Sequence, residues 1–543
     1  MDLILVNGKI YTMDKERSIA EAIAVKGDII EKVGSTEEIM ALRKDHTKII
    51  DLEGKIILPG FNDSHMHLLS YGHSLNRIDL GRAKSIEDIN NIIKTVIEET
   101  AIEKGEWVNG RGWNQDYFQG EKRFPTRYDL DNISLEHPIL IGRACGHVVV
   151  VNSKALELLN ITKDTPQVEG GHFDLDENGE PLGIFRENAL GLVYSKLPSP
   201  TVEDIKAMMV RAIKDINRYG ITSIGTDDFD AFPDVDYEKI ILAYEELKEE
   251  NKLKVRAYQQ FLIHDKNRLQ GFIDKGYSTS WGDKFFKMGP LKLLVDGSLG
   301  ARTAALVEPY SDDNSTNGIT KLTQGELDNL VDLAHKNNIQ TAIHGIGDKA
   351  MYMAFESIEK ALDNNPREDH RHGIVHCQIT DEYLLDKFAE LNVLAYIQPI
   401  FLDYDWKIVK DRVGKDREKT SYNWKSMIDK NIPIACGSDA PVEILDVLKG
   451  VYEAVTRKDL EGNPYGGWLP NQKLTVDEVV YGYTMGGAYA SFEENIKGSL
   501  EKGKLADMVL LSQDIFNIEE DMIKDVEVLA TILGGEVVYG SLA

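Results

Sequence analysis

The chain has 543 residues, 42% of them hydrophobic and 28% charged, with a formal net charge of −28. That length implies two or three domains, and the excess of acid repels phosphate backbones and anionic lipid, so neither nucleic acid nor a membrane is an expected partner. Cys145, Cys377 and Cys436 are far apart and show no CxxC spacing, which argues against a disulfide framework and against a cysteine zinc site.

The opening residues carry no basic stretch with a long apolar run behind it, and no run of about 18 apolar residues follows. A cytoplasmic location is the expectation. Residues 1–57 read as short strands and turns: Leu3–Val6, Lys9–Met13, Ala22–Lys26, Ile29–Val33 and Lys48–Asp51. Leu58-Pro59-Gly60 reads as a break. An opening barrel strand over Gly60–His67 comes next. From about residue 80 to 200 the pattern is irregular, with Trp107, Trp113, Gly142–Gly146 and Gly170-Gly171, and reads as an inserted subdomain over a barrel mouth. Strands and helices then alternate. Strands are expected at Ile221–Thr226, Lys254–Ile263, Gly289–Val295, Gln340–His344, Gly373–His376, Val393–Gln398 and Ile432–Gly437. Helices are expected at Tyr237–Glu250, Lys266–Lys275, Gln324–Asn337, Asp348–Asn364 and Asp381–Leu391. Eight βα units predict an α/β chain built on a (β/α)8 TIM barrel. Ala506–Leu511, Val526–Leu533 and Glu536–Tyr539 are strand-like again, with Gly534-Gly535 as a hairpin turn. Neither end can bury a face alone, so the two are expected to pair. The expected division is 1–57 plus 498–543 as one small β-domain, 58–80 plus 200–497 as the barrel, and 81–199 as the insert.

In Phe61-Asn62-Asp63-Ser64-His65-Met66-His67 the two histidines are two residues apart. On a strand they share a face, and inside a barrel both can reach one metal ion. Alone, the pair also fits two unrelated histidines. His344 and His376 each end an expected strand, about one βα unit apart, and Asp439 follows the strand ending at Gly437. The C-terminal ends of barrel strands are where such folds keep their chemistry, so four imidazoles and a carboxylate there point to metal. Lys292 lies in the apolar strand Pro290–Val295. It either reaches solvent or neighbours Asp296, or it points inward and takes up CO2 as a carbamate able to bridge two metals.

These motifs resemble the amidohydrolase superfamily. The carrying segments are Leu58–His67, the lone strand histidines, Gly437-Ser438-Asp439-Ala440-Pro441 and Gly498–Asp507. Within it the chain resembles the YtcJ-like group, amidohydrolase family 3, through Lys292–Gly300, His344-Gly345-Ile346-Gly347-Asp348, Cys145-Gly146-His147 and Val151–Leu156. The resemblance implies that the two ends form a composite β-sandwich, and it implies one or two divalent metal ions, with zinc the first expectation among the metals that histidine and oxygen ligands accept. His65, His67 and Asp439 would hold the more buried ion, His344 and His376 the second, and a carboxylated Lys292 would bridge them. Asp439 would also be the catalytic base and acid in hydrolysis of an amide-type C–N bond, N-acyl or N-formyl. The alternatives are a mononuclear zinc deaminase using His65, His67, His344 and Asp439, and a non-catalytic regulatory protein. Substrate-binding candidates are His147, Arg143, Trp113 and Asp296, with Glu187 beside them. Asp348 is expected as a helix N-cap. His46, His73, His137, His172, His264, His335, His370 and His372 read as structural or exposed, and Cys377 and Cys436 as packing. The expected partner is a small-molecule substrate; a homodimer is left open.

Overall fold

A computed structural model describes the chain except for Asn76, Ala101, Cys145, Gly146, Pro198, Pro233, Asp234 and Ala543. The Cys145-Gly146 part of the insert motif therefore lies outside the described residues. The chain divides into two compact units, Met1–Tyr71 with Val202–Ala543, and Gly72–Thr201.

The first unit contains eight parallel strands hydrogen-bonded in chain order. They are Phe61–Met66 (β1), Ile221–Thr226 (β2), Arg256–Leu262 (β3), Phe286–Leu294 (β4), Thr341–Gly345 (β5), Gly373–His376 (β6), Leu394–Ile397 (β7) and Ile434–Cys436 (β8). Their apolar runs lack alternation because both faces are covered; β1, β2, β6 and β7 are buried at every residue. The edges β1 and β8 meet through the backbone, where Asp439 N donates to His65 O at 2.7 Å and His67 N donates to Ala440 O at 2.9 Å. The sheet is thus nearly closed and fits a TIM barrel. The intervening helices start at side-chain caps: Asp236, Asp265, Asp381, and Thr323 in a capping box with Glu326. Asp348 departs from expectation. Gly347 is the N-cap of helix Asp348–Asn364, and Asp348 Oδ1 instead accepts from Val307 N at 2.9 Å.

Leu58 and Pro59 do not break the chain. They end a strand, Ile56–Pro59, that lies antiparallel to Met508–Leu511 near the other end of the sequence. Only Gly60 separates that strand from β1, and a Cβ there would come within 2.3 Å of the Thr222 hydroxyl, so a close approach of backbone to side chain requires glycine. The sheet containing Ile56–Pro59 has six strands, drawn from residues 9–59 and 508–540, and a four-stranded sheet forms from residues 3–51. Leu3, Leu5, Ile23 and Val25 of the smaller sheet share one apolar cluster with Ile10, Ile57, Met508, Leu510 and Ile532 of the larger. Gly534 and Gly535 both have positive φ, 56° and 82°, as a tight hairpin turn demands.

The second unit holds a six-stranded sheet that takes in Val108–Trp113, Ile139–Arg143, Val148–Val151 and Pro181–Glu187. Val148 and Val150 belong to one apolar cluster, Val149 and Val151 to another. Both faces are therefore covered, and the unit has its own core.

Candidate metal centre

Each candidate donor sits where a barrel strand ends. His65 is in β1 and His67 follows it; His344 is in β5 and His376 closes β6; Asp439 follows β8. His65 Nε2 lies 3.4 Å and His67 Nε2 3.0 Å from Asp439 Oδ1. One nitrogen or oxygen from each of His65, His376 and Asp439 lies within 4.8 Å of the others, the spacing of a metal site. The His344 and His376 rings are 4.5 Å apart, centre to centre. Lys292 is buried and points inward, its Nζ 2.9 Å from His65 Nε2.

All four imidazoles have Nδ1 against an oxygen. His65 Nδ1 faces Gln260 Oε1 at 2.7 Å, His67 Nδ1 the Asp227 carbonyl at 3.0 Å, His344 Nδ1 Asp296 Oδ1 at 2.8 Å, and His376 Nδ1 Gln398 Oε1 at 2.9 Å. Protonated Nδ1 fixes the tautomer in which Nε2 carries a lone pair, the arrangement of ligating histidines. Four nitrogens so prepared and one carboxylate suit a divalent ion. The backbone is strained at the same place: φ is 83° at His376, 52° at Cys377 and 60° at Asp439, a left-handed region that costs non-glycine residues energy and gathers at functional sites.

The charge states follow from burial and neighbours. Burial drives His65 down to about 4, with the Lys292 charge adding to it, and burial with His344 drives His376 well below the ordinary imidazole value. Burial opposes protonation of His67 as well, but Asp439 outweighs it and lifts His67 to about 9. Asp439 is held well below the carboxylate range because the neighbouring His65 and His67 imidazoles overcome its burial. Lys292 is lowered by burial, against the pull of Asp227 and Asp439. Asp227 is pushed up to about 7 by burial, and neither carboxylate oxygen has a hydrogen-bond partner among the described residues. Asp63, also pushed up to about 7 by burial, accepts from His65 N and Ser438 N and so ties β1 to the segment after β8.

Two of the substrate-contact expectations fall on buried side chains. Asp296 is fully buried, and its carboxylate accepts from His344 Nδ1, Ile346 N, Gly347 N and Ala305 N, so it holds a histidine ring. Trp113 is fully buried in the second unit's own apolar cluster, its Nε1 donating to Ile141 O at 3.3 Å. Arg143 holds the turn at Asn114, Gln115 and Asp116. His147 Nδ1 lies 2.9 Å from Glu187 Oε2, both side chains exposed. Motif spacing does not reveal Gln260 and Gln398. Their signal is a polar amide within, or one residue beyond, an apolar barrel strand.

The profile of the amidohydrolase family matches residues 48–539. YtcJ of Bacillus subtilis, an amidohydrolase by name, is 33% identical over 542 residues, 99% of each chain. The N-substituted formamide deformylase of Arthrobacter pascens is 25% identical over 99% of this chain and 98% of its own. The crystal structure of an uncharacterized metal-dependent hydrolase from Pyrococcus furiosus matches 95% of this chain and 100% of that chain, with a TM-score of 0.79 at 29% identity. With a profile match through most of its length and a relative a third identical over nearly all of it, the chain belongs to the amidohydrolase family.

Proposed function

We propose that this chain is a metal-dependent hydrolase that cleaves the C–N bond of an N-acyl or N-formyl amine, with Asp439 as the proton-transfer group. The observation that carries the reading is the set of four imidazoles at barrel-strand ends, each with Nδ1 committed to an oxygen, with Asp439 Oδ1 within 3.4 Å of two of them. The Arthrobacter relative acts, by name, on N-substituted formamides, and the Pyrococcus structure is titled a metal-dependent hydrolase; both support this class of substrate and chemistry. We assign His65, His67 and Asp439 to one divalent ion and His344 and His376 to another, with zinc the first metal to test.

Divalent ions held by these residues would lower the pKa of water and polarise the scissile carbonyl. Asp439 presents Oδ1 to His65 and His67 and takes the proton of the attacking water on its other oxygen. It then delivers that proton to the departing nitrogen, so a neutral amine leaves with the carboxylic acid formed. Burial favours the neutral amine of Lys292; were its Nζ to add to the carbon of CO2 and shed a proton, the resulting carbamate would supply two further oxygens to the site. In the second unit His147 is paired with Glu187. The two terminal sheets, which share an apolar cluster, are read as the faces of a composite sandwich.

The test is a panel of N-formyl and N-acyl amines offered to the metal-loaded chain, with free amine as the product measured. Two metal equivalents, an added mass of one CO2 on Lys292 and amine release are the expected results. One equivalent, an unmodified lysine and ammonia released from an amino-substituted ring would overturn the reading in favour of a mononuclear deaminase.

A further inference from the structure

The four oxygens behind the four histidines are not equivalent. Gln260 Oε1 is a neutral amide oxygen, and the orientation of that amide is fixed because its Nε2 donates to Ser64 O at 2.8 Å. Gln398 Oε1 is likewise neutral, with Nε2 toward Tyr396 O at 3.4 Å. The acceptor for His67 is a backbone carbonyl. His344 alone has a carboxylate, Asp296 Oδ1, at 2.8 Å.

An anionic acceptor on Nδ1–H pushes electron density through the ring and makes Nε2 a stronger donor than a neutral acceptor does. The Asp296 carboxylate is also rigidly placed. Oδ2 accepts from Gly347 N at 2.8 Å and Ala305 N at 2.9 Å, and Oδ1 accepts further from Ile346 N at 3.2 Å. Those donors come from the two residues after β5 and from the loop after β4. Three backbone N–H groups hold the carboxylate in place at zero exposure.

We infer that Asp296 is a positioning residue that makes His344 the strongest donor of the cluster, so that the first divalent ion loads on the His344–His376 side and the second on the His65–His67 side. This rests on the metal-centre reading above. It adds an order of filling, and with it a residue that sets that order without touching ion or substrate.

The test is titration of Zn2+ into the full-length, chelator-stripped protein, followed by calorimetry and by competition with a chromophoric chelator. Two phases are expected in the unaltered chain. Asp296→Asn should weaken the tighter phase by about 10–100-fold and leave the weaker one in place, whereas His67→Gln should remove the weaker phase only. A residue that merely held the loop would weaken both phases together, so an equal loss in both overturns the inference, as does a loss confined to the weaker phase. Asp296→Asn leaves three backbone N–H groups facing an amide and can fail to fold. Gln398→Glu is therefore the second arm: it gives His376 the same kind of acceptor, and the tighter phase should tighten further. No tightening in a folded Gln398→Glu protein overturns the inference. Failure of the unaltered chain to bind Zn2+ at all would instead sink the metal-centre reading, so the two failures are distinct.

Discussion

His67 Nε2 faces Asp439 Oδ1 at 3.0 Å, and the pair keeps its proton on the imidazole. His67 is raised from 6.5 to about 9, so in chelator-treated protein its contribution to stability is complete below the ordinary value and is lost as pH climbs through about 9. Asp439 is depressed from 3.8; its contribution is present above that value and lost on acidification. The thermal midpoint of the stripped protein should accordingly fall as pH climbs from 6.5 to about 9, where the folded state binds this proton and the unfolded state has lost it. Ligation by Nε2 needs the same proton to leave. Zn2+ affinity should therefore rise with pH up to about 9 and uptake should release a proton below it, seen as buffer-dependent heat in calorimetry. Asp439→Asn should lower kcat by about 10²–10⁴-fold, the usual worth of a positioned proton-transfer group, and an unchanged kcat would remove Asp439 from that role. At this scale the donors are legible in sequence and their supports are not. A histidine closing an apolar strand has few structural uses, so His344 and His376 announce themselves. Gln260, Gln398 and Asp296 gain meaning only when the ring each one faces is known, which depends on strands far apart in the chain.

Between the strand Ile56–Pro59 and β1 the chain has a single residue in which to change sheets, and Thr222 of β2 fills the space beside it. Gly60→Ala should cost about 1–3 kcal/mol, the usual penalty for overpacking a tight site, measured as a shifted denaturant midpoint. Thr222→Ala removes the two shortest contacts, at 2.3 and 2.4 Å, and should recover part of that loss in the double variant. The elements themselves follow from local pattern. Barrel strands buried on both faces read as short apolar runs, so β2 and β6 carry the bounds their residues suggest, and helix Asp348–Asn364 does too although Asp348 is its first residue and not its cap. The second unit yields less to such reading. Its helix Ile86–Thr100 and strand Val108–Trp113 stand among Gly, Asn and Trp residues that mimic turns, and Val148–Val151, covered on both sides, shows no alternation to mark it as a strand.

Arg256, at the start of β3, clamps Asp507 just before the terminal strand Met508–Leu511 with bonds of 2.6 and 2.8 Å, both side chains almost wholly buried. Asp507→Asn or Arg256→Met alone should cost about 3–5 kcal/mol, because each strands a buried charge, and the double replacement should cost less than either. Equal losses in the single and double variants would show that the pair matters only by its shape. Removal of residues 498–543 takes away the strand that pairs with Ile56–Pro59 and should raise amide exchange across residues 56–59. All six residues proposed to handle metal, His65, His67, Lys292, His344, His376 and Asp439, lie in the unit formed by Met1–Tyr71 and Val202–Ala543, while His147 and Glu187 lie in the other. The second unit folds on apolar clusters of its own. In a lineage of such chains, substitutions that reshape Gly72–Thr201 are selected against one core and substitutions among the ligands against another. Descent can vary the first while inheriting the second intact, so relatives that share the ligands and differ across Gly72–Thr201 are the expected outcome of this architecture.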